Sequence, residues 1–86
     1  MKIQINVNDY DCREGLKLTW KDNYKIECNY DDGEIIILAN EAGLMSLANH
    51  LVSLAQRRVP SGTHIHLDED NSLEEGSKDI VIQKID

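Results

Sequence analysis

The sequence predicts an α+β domain: a mainly antiparallel sheet of about six strands with one amphipathic helix on one face, in the order β-β-β-β-α-β-β. Three observations carry this. Only one stretch, Asn40 to Gln56, repeats its apolar residues at helical spacing. Most of the rest alternates apolar and polar residues with period two. Short polar turns join the alternating stretches, which favours antiparallel neighbours.

The first alternating stretch is Lys2 to Val7, with Ile3, Ile5 and Val7 on one side. A polar, turn-like segment runs from Asn8 to Gly15. Leu16, Leu18 and Trp20 then alternate with Lys17 and Thr19. After a turn at Lys21–Asn23, the residues Tyr24, Ile26, Cys28 and Tyr30 give a third strand. Asp31-Asp32-Gly33 is a hairpin signal, because glycine accepts the positive φ of a tight turn. Glu34 to Ala39, EIIILA, loses the alternation and is expected to be a central strand covered on both sides.

In the helix, Leu44, Leu47, Ala48, Leu51, Leu54 and Ala55 form the stripe expected to face the sheet. Asn40 suits the N-cap, since its side-chain oxygen can accept a first-turn amide. Glu41 complements the positive end of the helix dipole, and Arg57 and Arg58 the negative end. Pro60 prevents continuation. Thr63 to Asp68 alternates with Ile65 and Leu67 inward and His64, His66 and Asp68 outward. Asp68 to Asp79 is an acidic loop in which Ser72 and Glu75 match a capping pattern for one short helical turn. Ile80 to Ile85 is the last strand. One helix cannot cover six strands, so Ile36, Leu38, Val81 and Ile85 are expected to have little cover on the second face, a surface for a partner or a second copy.

With 86 residues there is room for one core, and residues 1–86 are read as a single domain. Sixteen acids against nine bases give a net charge of −7. That disfavours binding to nucleic acid or to anionic membranes, and is compatible with a basic protein partner. The N-terminus lacks the apolar run of a secretory signal, and no stretch approaches the about 18 apolar residues of a membrane-spanning helix. Cys12 and Cys28 match neither a redox pair nor a zinc spacing and, without export, are expected as reduced thiols, Cys28 in the core. A disulfide is the alternative if the chain is exported by another route.

Enzymatic signals are lacking: there is no nucleophile elbow, no phosphate-cradling glycine loop and no paired catalytic motif. His64, His66 and Asp68 form an H-x-H-x-D row of metal-ligand types. No clear third or fourth ligand accompanies them, so neither metal nor cofactor is expected. A calcium loop beginning at Asp68 fails at its sixth position, Leu73, where glycine is needed, and at its twelfth, Asp79. What stands out is charge density: the loop from Asp68 to Asp79 carries six acids and one lysine, −5 of the −7. Such a density steers a complementary partner, although acidic loops also serve simply as solvated surface.

Four blocks carry a family resemblance: DGEIIILAN from Asp32, GLMSLANHLVSLAQ from Gly43, VPSGTHIHLDEDNSLEEGS from Val59 and the closing IVIQKI from Ile80. Over these the chain resembles the immunity protein 32 family of bacterial polymorphic toxin systems, the VPSGTHIHLD and NSLEEGS blocks being the specific part. The first thirty residues match nothing in it. The resemblance implies a cytoplasmic, non-catalytic protein that binds and neutralises a cognate toxin domain, as in contact-dependent inhibition. A toxin that cuts nucleic acid would present a basic cleft to an acidic plug. His64, His66, Asp68, Glu69, Asp70, Glu74 and Glu75 are then the residues expected to face it, from a monomer or weak homodimer. The alternative is a small regulatory or metal- or ligand-binding module that self-associates through an uncovered sheet face.

Overall fold

The computed structural model describes all residues, 1–86. It holds β1 (Ile26–Asp31), β2 (Glu34–Ala39), α1 (Glu41–Ala55), β3 (His64–Leu67) and β4 (Ile80–Gln83). The α+β class and its single helix are as expected. Four strands form, not six, and they make two separate antiparallel hairpins, β1–β2 and β3–β4.

The β1–β2 hairpin closes at Asp32 and Gly33, whose φ values of 49° and 81° are both positive. That is the mirror-image turn that matches strand twist, which is why an Asp-Gly pair sits there. In register, Ile26 faces Ala39 and Cys28 faces Ile37. In the second hairpin Ile65 faces Ile82 and Leu67 faces Ile80. Ile26, Cys28, Leu67 and Leu73 form the central core cluster, with Tyr24, Ala39, Leu47 and Ile80 packed around it. The core thus lies between the two hairpins and one flank of the helix.

The two N-terminal strands are absent. Lys2 to Val7 and Leu16 to Trp20 lie outside any ladder, and only one isolated bridge, Asp11 with Gly15, forms in this region. The alternation did mark half-buried sides, at Ile5, Val7, Leu16 and Leu18. What these segments lack is a partner strand. Polar side chains of the helix meet their backbone instead. Asn49 accepts from the Thr19 amide at 3.3 Å and donates to the Asn6 carbonyl at 2.9 Å. Ser46 Oγ accepts from the Lys21 amide at 2.8 Å. Gln56 accepts from the Tyr10 amide at 3.0 Å and donates to the Asn8 carbonyl at 3.1 Å.

This reverses the expected seating of the helix. Its buried residues are Gly43, Ser46, Asn49, His50, Ser53 and Leu54. Of the apolar stripe only Leu54 is buried; Leu47 and Ala48 are half-buried, and Leu44, Leu51 and Ala55 are exposed. A small and polar face allows close approach and supplies the hydrogen bonds that an unpaired backbone arm requires. A second correction concerns EIIILA. It is an edge strand with one neighbour, not a central one, and Ile35 to Leu38 are all exposed. Ile36, Leu38, Val81 and Ile85 have the exposure expected of them.

The helix starts as expected: Asn40 Oδ1 accepts from the Gly43 amide at 2.8 Å. It ends differently. Arg57 and Arg58 lie beyond the last turn and are exposed. Lys84 takes the expected role, its Nζ donating to the carbonyls of Gln56 at 2.7 Å and Val59 at 2.8 Å. No helix is long and apolar enough to cross a membrane.

Candidate functional site

The acidic loop connects β3 to β4 and is stitched to both hairpins. The Asp68 carbonyl accepts from the amides of Asn71, Ser72 and Leu73. Asp68 Oδ1 accepts from the amides of Asp70 at 2.9 Å and Asn71 at 3.1 Å. Asn71 ties the turn back to the strand, donating from Nδ2 to the His66 carbonyl at 2.9 Å. These contacts make a sequence of turns; the helical turn expected at Ser72–Glu75 does not form. Asparagine and aspartate side chains compete with helical backbone bonds in this way.

Leu73, the only strongly apolar residue of the loop, is buried in the central core cluster. The chain after it runs along the outer edge of β1. Glu74 donates its amide to the Ile26 carbonyl at 2.9 Å, and Lys78 to the Cys28 carbonyl at 2.7 Å. The Cys28 amide donates to Ser77 Oγ at 3.2 Å. A buried leucine and a line of backbone bonds therefore hold a strongly charged surface in a fixed frame.

Glu69, Asp70, Glu74 and Glu75 are exposed. Glu69, Asp70 and Glu74 border one shallow depression together with Tyr24 and Lys25. Glu69 is partly committed, accepting from the Gly76 amide at 2.9 Å. Asp68 is half-buried and holds the turn. His64 and His66 project outward from β3, while Ile65 and Leu67 point into the core.

The register of the second hairpin brings His66 to Asp79, with Nε2 donating to Oδ2 at 3.1 Å. Donor atoms of His66, Asp68 and Asp79 all lie within 4.8 Å of one another. One imidazole and two carboxylates are chemically suited to a divalent cation. The three that converge are not the H-x-H-x-D row: His64 is left out, and Asp79 enters from the end of the loop, just before β4. His66 and Asp79 are well exposed, and their mutual contact already occupies the donor and acceptor that face each other. Asp79, Asn71 and Leu73 were not among the residues expected to form the site. Leu73 carried a signal, as a lone leucine among acids; Asp79 needed the hairpin register.

His50 lies apart from this surface. It is fully buried, stacked edge-on to Trp20 with ring centroids 4.7 Å apart. Its Nε2 lies 3.1 Å from the Thr19 carbonyl, which can only accept, so the proton sits on Nε2. Nδ1 is buried with no partner. Desolvation lowers the pKa of this imidazole below 6.5, opposed in part by the Thr19 hydrogen bond. It is a neutral structural histidine. Cys12 is exposed and Cys28 buried, both as free thiols.

A comparison with known families finds a match to immunity protein 32 over residues 34–85. The chain belongs to the immunity protein 32 family. The match spans β2, α1, β3, the whole acidic loop and β4. The arm and β1, which the helix and the loop hold in place, lie outside it. No curated protein and no solved structure matches the chain. In this chain the loop between β3 and β4 carries five of the seven net negative charges, and the matched segment contains all of that loop.

Proposed function

We infer that this immunity protein neutralises a cognate toxin domain by binding it, without catalysis, through the acidic surface of the β3–β4 connection. The observation that carries this reading is the ordered loop: five net negative charges lie between Asp68 and Asp79, on a backbone anchored by Leu73 and bonded along β1. A preorganised charged surface loses little conformational freedom on binding, and its field speeds encounter with a basic partner. His64, His66, Asp68, Glu69, Asp70, Glu74 and Glu75 face the toxin in this reading. Asp68 contributes chiefly by shaping the turn.

The partner is a basic protein domain, and a nucleic-acid-cleaving toxin has the cleft chemistry that an acidic plug fits. The setting is the bacterial cytoplasm, in polymorphic toxin or contact-dependent inhibition systems. An interface of ordinary size takes about 800 Å² from each partner. That is a large share of a total surface of 6472 Å², and in this reading the exposed face of β3 takes part beside the loop.

Co-expression tests this. The chain is produced with the toxin domain encoded beside it, and retention on a tagged toxin and cell survival are scored. Co-purification with survival supports the reading. A folded chain that neither retains the toxin nor protects the cell contradicts it.

A further inference from the structure

We propose that His66, Asp68 and Asp79 form a binding site for a single divalent transition-metal ion of the zinc class, where the acidic loop leaves β3 and enters β4. The pairing register builds it. In the second hairpin His66 faces Val81 and Leu67 faces Ile80. Carried one pair further, the same register sets Asp68 opposite Asp79, the first and last residues of the loop. Residues directly opposite share a face of a hairpin, and so do residues two apart on one strand. His66, Asp68 and Asp79 therefore project from one face, away from Ile65 and Leu67 in the core. His64 shares that face but lies two residues further back, roughly 7 Å along the strand, and takes no part.

Two observations point to a cation. Like charges directly opposite one another weaken an antiparallel pair. Asp68 and Asp79 stand in that relation at the loop end of the hairpin, and neither is paired with a lysine or an arginine. The second observation is spacing. Ligands bound at about 2.0–2.2 Å from zinc lie roughly 3.0–3.5 Å from each other. His66 Nε2 and Asp79 Oδ2 are 3.1 Å apart, and donor atoms of all three residues lie within 4.8 Å of one another. A small inward closure of Asp68 completes three ligands, and the exposed side of the site leaves the remaining positions to water.

The ligand set selects the ion. An imidazole nitrogen suits zinc, nickel or copper, whereas magnesium and calcium prefer oxygen alone. The surroundings already orient the ligands. Amides of Asp70 and Asn71 hold Asp68 Oδ1 at 2.9 and 3.1 Å, and Asn71 is tied to the His66 carbonyl at 2.9 Å. The cation takes the place of the proton that Nε2 shares with Asp79, so acid competes with it. Bound there, it fastens both ends of the acidic loop to β3. The inference does not rest on the toxin reading, because it concerns the chain alone.

Isothermal titration calorimetry of zinc chloride into the untagged full chain tests it, with His66→Gln, Asp79→Asn and His64→Gln alongside. All three side chains are exposed, so the fold should persist, and circular dichroism checks it. The expected result is one zinc per chain, with a dissociation constant raised at least about tenfold in His66→Gln and Asp79→Asn and kept within about twofold in His64→Gln. Zinc should also raise the melting temperature of the wild type and leave that of Asp79→Asn unchanged. A wild-type chain with no saturable binding overturns the proposal. Binding that survives unchanged in His66→Gln overturns it equally and assigns the zinc elsewhere, such as to the exposed thiol of Cys12.

Discussion

Gly43 lies so close to Lys25 that a Cβ on it would come within 2.3 Å of the Lys25 carbonyl oxygen and 3.0 Å of Ile26 Cγ1. The helix reaches the start of β1 only because this position has no side chain. Backbone cannot retreat as a flexible side chain can. Gly43→Ala is therefore expected to destabilise the fold by about 1–3 kcal/mol through overpacking, despite the higher helix propensity of alanine. Urea unfolding of the two proteins measures it, and an unchanged or raised midpoint would place the helix elsewhere.

Lys84 caps the helix C-terminus that Arg57 and Arg58 were expected to serve. It reaches from beyond the end of β4 and joins the C-terminal segment to the carbonyls of Gln56 and Val59. Charge-assisted bonds of this kind are worth about 1.5–3 kcal/mol. Lys84→Met should cost a comparable amount in thermal or chemical unfolding, whereas Arg57→Ala and Arg58→Ala should change stability by less than about 0.5 kcal/mol.

Leu73→Ala separates the anchor of the acidic loop from its charge. Removing a buried leucine costs about 2–5 kcal/mol. The loss should be felt locally as well, because Leu73 sets the chain down on β1. Hydrogen exchange at the Glu74 and Lys78 amides is expected to accelerate more than at helix amides far from the loop. Uniform acceleration would mean that the loop has no local anchor.

His50 gives the fold an acid sensitivity of definite sign. Its folded pKa lies below the 6.5 it has in an unfolded chain, because burial disfavours the charged ring. Below about pH 6.5 the unfolded chain takes up a proton that the folded chain refuses. Stability from this group is complete above that pH and declines as pH falls toward the folded pKa. Unfolding midpoints at pH 7.5 and 5.5 check this: the drop should shrink in His50→Gln, with His64 and His66 left intact.

The sequence disclosed what depends on local pattern and hid what depends on pairing. The Asp32-Gly33 turn, the Asn40 cap, the extent of the helix and the inward set of Ile65 and Leu67 follow from turn chemistry and periodicity. Alternation at Ile5, Val7, Leu16 and Leu18 marked a buried side but could not say whether a strand would come to meet the backbone. Asn49, Ser46 and Gln56 met it instead, and that choice also turned the helix away from its leucine stripe. EIIILA read as central because an apolar run usually is; here the run is exposed. For the surface, the exposed setting of His64, His66, Glu69, Asp70, Glu74 and Glu75 followed from pattern and charge. The convergence of His66 with Asp79 did not, because it depends on a register set across a twelve-residue gap in the chain.

In the proposed function, ordered acid on the β3–β4 connection captures the toxin, and association kinetics test this most directly. The rate of binding to the purified toxin domain is measured at low and at physiological salt, for wild type and for Asp70→Lys/Glu74→Lys/Glu75→Lys. All three side chains are exposed and bridge nothing within the chain, so the fold should survive. Electrostatic steering raises association rates by about 10- to 1000-fold. The triple variant is expected to associate at least about tenfold more slowly at low salt, with a weaker dependence on ionic strength. Equal rates and equal salt dependence in the two proteins would contradict it.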